Sequence, residues 1–303
     1  MRNESGQRGD YVQRVNRAID HILHHLGEPL PLESVAREAD FSAFHFHRIF
    51  KSLTGETLHQ FVKRLRLERS LRLLSFEPGR SLTDVALECG FQSSSDFSRS
   101  FKQAFGVPPS EFDLQAFRAQ RREEWQATIT DSATRHLLDP LPVGENPDGF
   151  AVKLRRLPAR HVAYIRVPDP YRPTAVPDAT AELVAWAEAR GLADSVWLGY
   201  MWDDPEIVAH ADCRYDVGVE VDHLEPDGEI GRIDFPPMRV AQVEVVGDIA
   251  LEQRALDWLF GTWLRDSGYV PTDQPCFEAW IGRPFAHGYE HFELWAHLPI
   301  ERG

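Results

Sequence analysis

At 303 residues with 43% hydrophobic and 11% aromatic content, the chain has the size of about two domains with cores of their own, which excludes a disordered polypeptide. The net charge of −14 is unevenly shared: residues 1–122 carry 18 Lys/Arg against 15 Asp/Glu, residues 123–303 carry 15 against 32, so only the N-terminal part suits a polyanionic partner. No run of residues is apolar over a bilayer length, and Cys89, Cys213 and Cys276 lie far apart without a CxxC pair; no membrane partner, disulfide framework or zinc cluster is expected, and the location expected is the cytoplasm.

The first elements in chain order form a repeat. Leu32-Glu33-Ser34-Val35-Ala36-Arg37-Glu38-Ala39-Asp40-Phe41 returns as Leu82-Thr83-Asp84-Val85-Ala86-Leu87-Glu88-Cys89-Gly90-Phe91. After the turn, Phe46, Arg48, Phe50, Lys51 and Gly55 return in order as Phe97, Arg99, Phe101, Lys102 and Gly106. Each copy reads as two helices across a tight turn. Leu32, Val35, Ala36 and Ala39 share one helical face, Ser42 and Ser93 or Ser94 suit N-caps, and Gly90 suits a positive φ. In the second helices Phe46, Ile49, Phe50 and Leu53, and Phe97, Phe101, Ala104 and Phe105, form core stripes.

The opposite faces carry Phe44, His47, Arg48 and Lys51 in the first copy and Ser94, Ser95, Ser98, Arg99 and Lys102 in the second. A helix fits the major groove, where Arg can donate two bonds to guanine. A solvated polar face is the plainer reading for one such helix; two copies with Arg and Lys in register favour DNA. Asp96 either accepts from cytosine or caps its helix. Between the copies, residues 58–74 form an amphipathic helix of about 25 Å, a spacer able to hold two recognition helices one duplex turn apart. Arg64, Arg66, Arg69 and Arg72 on it are candidates for phosphates.

With Gly90-Phe91-x-Ser93, Phe97-Ser98-Arg99-Ser100-Phe101-Lys102 and Phe105-Gly106-Val107-Pro108-Pro109-Ser110-Glu111-Phe112, residues 10–118 resemble the AraC/XylS-type DNA-binding domain. The resemblance implies a tandem helix-turn-helix reader of double-stranded promoter DNA, working with RNA polymerase and binding as a monomer, with a dimer as the alternative. The reader stands first in the chain, an order that resembles the Rob-like subset of that family.

From Thr128 to Gly149 the chain turns polar and breaker-rich, with Pro140, Pro142, Gly144, Asn146, Pro147 and Gly149, and residues 119–149 read as a linker, although Arg118 to Trp125 can extend the last helix. Beyond it lies a fainter duplication. Arg160–Val167 parallels Met238–Val245 as strands; Ala179–Gly191 and Leu251–Gly268 follow as helices; Ser195–Trp202 with Arg214–Val221, and Cys276–Ile281 with His291–Leu298, complete two strand-helix-strand-strand units. The fold class expected is therefore multidomain: an all-α tandem helix-turn-helix domain, then over 150–303 an α+β domain of two pseudo-symmetric βαββ units meeting over a cleft.

Period-2 alternation puts Glu278 and Trp280 on one strand face, and the same parity offers Trp202, Tyr200, Tyr164 and Trp295 as further aromatic walls. A carboxylate among aromatics suits a greasy cation. Spacing alone leaves a second reading open, an edge-strand glutamate beside ordinary core aromatics. Leu198-Gly199-Tyr200-Met201-Trp202-Asp203-Asp204-Pro205, Cys213-Arg214-Tyr215-Asp216-Val217, Trp263-Leu264-x-x-Ser267-Gly268-Tyr269 and Phe277-Glu278-Ala279-Trp280 resemble the GyrI-like effector-binding domain. That resemblance implies a small-molecule effector bound in a cleft beside Glu278, with Trp280 where the family usually has Tyr. Some relatives of that type resemble hydrolases, which makes a scavenging or hydrolytic C-terminal half the alternative, with Glu278 as general base. No nucleophile motif or phosphate loop accompanies it. His21, His24 and His25, His45 and His47, and His287, His291 and His297 lack partners to complete a metal site, so no metal and no cofactor is expected.

Overall fold

The computed structural model describes residues 2–77, 79–129, 141–222, 228–288 and 291–303. The chain divides into two compact units: Met1–Ala119 with Pro226–Gly231, and Gln120–Glu225 with Arg232–Gly303. No helix among the described residues is long and apolar enough to cross a membrane.

The first unit is helical. It runs through α1 (Arg2–His24), α2 (Leu32–Glu38), α3 (Ala43–Thr54) and α4 (Leu58–Phe76), and then repeats α2 and α3 as α5 (Leu82–Glu88) and α6 (Ser94–Phe105). Local chemistry sets the ends of both copies alike. Ser42 Oγ accepts from the His45 N–H and Ser93 Oγ from the Asp96 N–H, while Gly55 (φ 77°) and Gly106 (φ 82°) close α3 and α6 in the left-handed conformation. Ser93 is thus the cap of α6, and Asp96 stands in its first turn, where the helix dipole favours an acid. Thr57 and Gln60 form a reciprocal capping box at the start of α4.

The turn inside each copy closes identically, Phe41 N–H donating to Ala36 O and Phe91 N–H to Ala86 O at 3.0 Å. Its left-handed residue is Asp40 (φ 53°) in the first copy and Gly90 (φ 83°) in the second. At Gly90 a Cβ would stand 2.7 Å from Leu26 O and 2.9 Å from the Arg66 guanidinium, so only glycine fits.

The first copy buries Val35, Ala36, Ala39, Phe46 and Phe50 against α1 and against Leu58, Phe61, Val62 and Leu65 of α4. In the second, Phe97, Phe101, Phe105, Phe112 and Phe117 form a chain of ring contacts at 4.5–5.7 Å. The stripes are shorter than the sequence suggests: Leu53 is 39% exposed and Ala104 is exposed, and Ser100 takes the buried place in α6.

Helix α7 (Leu114–Ile129) enters the stretch expected to be a linker and remains helical to Ile129; residues 130–140 of that stretch lie outside the described residues. Its tail packs within the second unit, where Arg122 donates to Glu206 at 2.6 Å and to Asp257, and Trp125 is buried against Ala250.

The second unit is built on an antiparallel sheet. Its strands are β1 (Lys153–Leu157), β2 (Arg160–Pro168), β3 (Trp197–Met201), β4 (Arg214–Glu220), β5 (Gly231–Phe235), β6 (Met238–Gly247), β7 (Tyr269–Pro271), β8 (Cys276–Trp280) and β9 (Phe292–Arg302). Helix α8 (Ala175–Glu188) follows β2; α9 (Ile249–Trp258), a π turn at Leu259–Trp263 and α10 (Leu264–Ser267) follow β6. The order β1-β6-β9-β8-β3-β4-β2-β5 reads the same from both ends once β1–β4 are matched with β5, β6, β8 and β9, and each half lends its first strand to the other. The halves join through β3 and β8, where Gly199 pairs with Glu278. The strands β1, β5 and β7 had no counterpart in the sequence reading.

Candidate functional site

On α3 and α6 the residues singled out for DNA lie together. Phe44 (69% exposed), His47, Arg48 and Lys51 are exposed on one face of α3, and Ser95, Arg99 and Lys102 are exposed on α6 with Ser94 and Ser98 half-buried beside them. Among the described residues the side chains of Arg48, Lys51, Arg99 and Lys102 form no hydrogen bond or ion pair; Arg48 stands 5.9 Å over the Phe44 ring. Among the described residues these four cations, on two capped helices, have no internal counter-charge.

Arg66 differs. Its Nε donates to Leu26 O at 3.0 Å and its Nη2 to Glu28 O at 2.6 Å, beneath the Gly90 turn. These bonds tie α4 to the α1–α2 connection, so Arg66 acts as an internal brace and not as the free phosphate contact expected. Arg64 is held by Glu56 (2.7 Å) and Glu68 (3.1 Å), and Arg69 reaches Glu88 O at 3.4 Å.

In the second unit Glu278 lies on β8, 6% exposed. Strand pairing puts Gly199 of β3 and Ala296 of β9 beside it on one sheet face, and Val217 of β4 beside Gly199. Tyr215 of β4 crosses over Gly199, where a Cβ would stand 1.8 Å from the phenol oxygen, and donates to Glu278 Oε2 at 2.8 Å. The Trp280 indole and Glu252 of α9 lie close to the same carboxyl. Met201, Tyr215, Cys276 and Trp280, all on this face, are half-buried. Burial pushes Glu278 up to about 7 against the hydrogen bond from Tyr215, and pushes Glu252 and the Tyr215 phenol well above their ordinary values.

The same pairing corrects the set of aromatic walls. Trp280 shares the face of Glu278, but Tyr164, Tyr200, Trp202 and Trp295 occupy the opposite face, because Gly199, not Tyr200, pairs with Glu278 and Ala296, not Trp295, lies on its other side. Tyr164 and Tyr200 (1% exposed) are core there, with Tyr200 stacked on Phe235 at 4.4 Å. Trp202 donates to Asp216, itself paired with Arg166, and Trp295 packs beneath the Lys153 ammonium at 4.3 Å. Tyr215, Gly199 and Glu252 went unassigned in the sequence. A glutamate on the buried stripe that runs through Ala255 of α9 to Leu259 of the π turn was the available signal for Glu252.

The histidines set aside as metal ligands have other partners: the His24 and His25 rings bond to carbonyls of their own helix, and His287 and His291 flank Glu293. Among the described residues no His/Cys/Asp/Glu group is arranged to hold a metal.

Comparison with known proteins gives two family matches, a helix-turn-helix domain over residues 35–115 and a GyrI-like small molecule binding domain over residues 150–298. The transcriptional regulator Rob of Salmonella typhimurium is 34% identical over 103 residues, 34% of this chain and 33% of that protein. YbfP of Bacillus subtilis, an HTH-type transcriptional regulator, is 30% identical over 117 residues, 38% of this chain and 39% of that protein. The regulatory protein SoxS of Salmonella typhimurium is 30% identical over 103 residues, 34% of this chain and 94% of that protein. The chain therefore spans about a third to two fifths of the length of Rob and YbfP and nearly all of SoxS. On these grounds the chain belongs to the AraC-type helix-turn-helix family, in the Rob-like arrangement with a C-terminal GyrI-like domain.

Proposed function

We propose that the chain is a cytoplasmic transcription regulator that reads promoter DNA with α3 and α6 and is modulated by an aromatic cation held beside Glu278. The observation that carries the DNA half is the set of exposed cations, unpaired among the described residues, repeated on two identically capped helices. On this reading Phe44, His47, Arg48 and Lys51, and Ser94, Ser95, Ser98, Arg99 and Lys102, face the duplex as a monomer, next to RNA polymerase. Glu278 with Trp280 and Tyr215 supports the ligand half: a buried carboxyl with aromatic neighbours and, among the described residues, no base beside it is matched by a greasy cation.

Two measurements test the halves separately. Arg48→Ala or Arg99→Ala should cost about 1–3 kcal/mol at one base position in a site selected from random DNA, with less change at scrambled sites. Uniform losses at every sequence would remove the recognition-helix assignment. Glu278→Gln should abolish binding of cationic dyes and leave DNA affinity in place; unchanged dye binding would remove the ligand assignment.

The raised Glu278 value also suits a general base, the feature that favours a hydrolytic C-terminal half. Turnover of a reactive ester by the full chain, lost in Glu278→Gln, would establish that activity; its absence leaves binding alone.

A further inference from the structure

Glu252 sits in the first turn of α9, 4% exposed, with its carboxyl within hydrogen-bonding reach of Glu278. A carboxylate oxygen only accepts, so a hydrogen bond between two carboxyls holds one proton. Among the described residues every titratable group on this face beside the pair is an acid: Glu252 from α9, Glu278 and the Cys276 thiol from β8, and the Tyr215 phenol from β4, with the neutral Trp280 indole next to them. Among the described residues no base faces it. Arg166 and Arg214 project from the other sheet face, paired with Asp216 and Asp203, and Arg254 on α9 pairs with Asp148. Glu252 Oε1 is covered and has no hydrogen-bond partner. The helix dipole at the start of α9 favours negative charge, but desolvation dominates and leaves the pair one counter-charge short whenever both groups ionise.

We propose that Glu252 and Glu278 form a charge-matching pair: a monocation is met by one carboxylate with the shared proton in place, and a dication displaces that proton and is met by two. The step is an acid dissociation in which the Glu252 O–H bond breaks, its electron pair stays on oxygen and the proton passes to the buffer. Glu252 thereby sets which ligand charge the site accepts. The inference rests on the reading of Glu278 as the ligand carboxylate.

Ethidium and propidium test it, since they share an aromatic core and carry one and two positive charges. Calorimetry of the full chain at about pH 8, above the Glu278 value of about 7, in two buffers of different ionisation enthalpy counts the protons released. The expected count is near zero for ethidium and about one for propidium. Glu252→Gln, neutral and of the same shape, should remove the propidium release and weaken propidium about tenfold relative to ethidium. Equal proton counts for the two dyes in the parent protein overturn the charge-matching pair while leaving the ligand site standing. Failure of ethidium to bind, or binding indifferent to Glu278→Gln, overturns the ligand site and the pair with it. The parent proton count depends on no variant, so a misfolded Glu252→Gln would not shield the proposal.

Discussion

A hydrogen atom in place of a side chain at Gly199 is what lets the Tyr215 phenol cross β3 and reach Glu278 at 2.8 Å. That bond favours the charged form of a carboxyl that burial otherwise pushes up to about 7. Tyr215→Phe removes the donor and keeps the ring, so Glu278 should move further up. Hydrogen bonds to charged groups contribute about 1.5–3 kcal/mol, so affinity for ethidium should fall about tenfold or more near neutral pH. The deficit should shrink as pH rises past the new value, because both proteins then present the carboxylate. A deficit constant across pH would mean the phenol acts by packing alone. Stability follows the same group with the opposite sign. A folded-state value raised above the ordinary 4.5 adds stability below that pH, and the gain is lost as pH rises through about 7. Glu278→Gln should therefore raise the melting temperature of the chain at alkaline pH and do little near pH 4.5; a uniform shift at both would argue against the raised carboxyl.

At the scale of elements, the helical unit shows why some features were legible in the sequence and others were not. Caps, turns and helix periods are local, so Ser42, Ser93, Gly90 and the Phe46–Phe50 and Phe97–Phe101 pairs stood out in one copy and were doubled by the other. The partners of α4 are not local. Arg66 lay on the polar side of a helical wheel, yet its acceptors are carbonyls of residues 26 and 28. Strand parity likewise relates residues within β3 or within β8, whereas the face on which Tyr200 lies relative to Glu278 is set by the register between them. Hence Glu278 and Trp280 fell together and Tyr164, Tyr200, Trp202 and Trp295 did not join them. The brace also makes a prediction. Arg66→Met should lower stability by about 2 kcal/mol, and Gly90→Ala, forced against Leu26 O at φ 83°, by at least about as much. Both should weaken DNA binding at all sequences alike, as a lost phosphate contact would, but with the salt dependence of binding unchanged. A salt slope reduced by about one in Arg66→Met would return that residue to the DNA.

For the whole molecule, charge is the property that separates the two halves, +3 over residues 1–122 and −17 over residues 123–303. A net charge of −14 would repel a duplex if it acted as a single sum. Screening confines it: at physiological salt the Debye length is about 8 Å, so a phosphate responds to the cations on the helix that touches it and hardly to distant carboxylates. DNA affinity should therefore fall steeply between about 50 and 200 mM salt, with a slope set by the number of phosphates neutralised. Lys51→Ala and Lys102→Ala should each lower that slope by about one, since neither ammonium has an internal partner among the described residues. Arg64→Ala should leave the slope unchanged, because its guanidinium is held by Glu56 and Glu68. The acidic half sets the converse expectation: lowering salt further should strengthen binding less than the slope extrapolates, as the Debye length grows to about 30 Å at 0.01 M and the summed charge of −14 is screened less. A slope that stays constant down to the lowest salt would show that the acidic half exerts no field on the bound duplex.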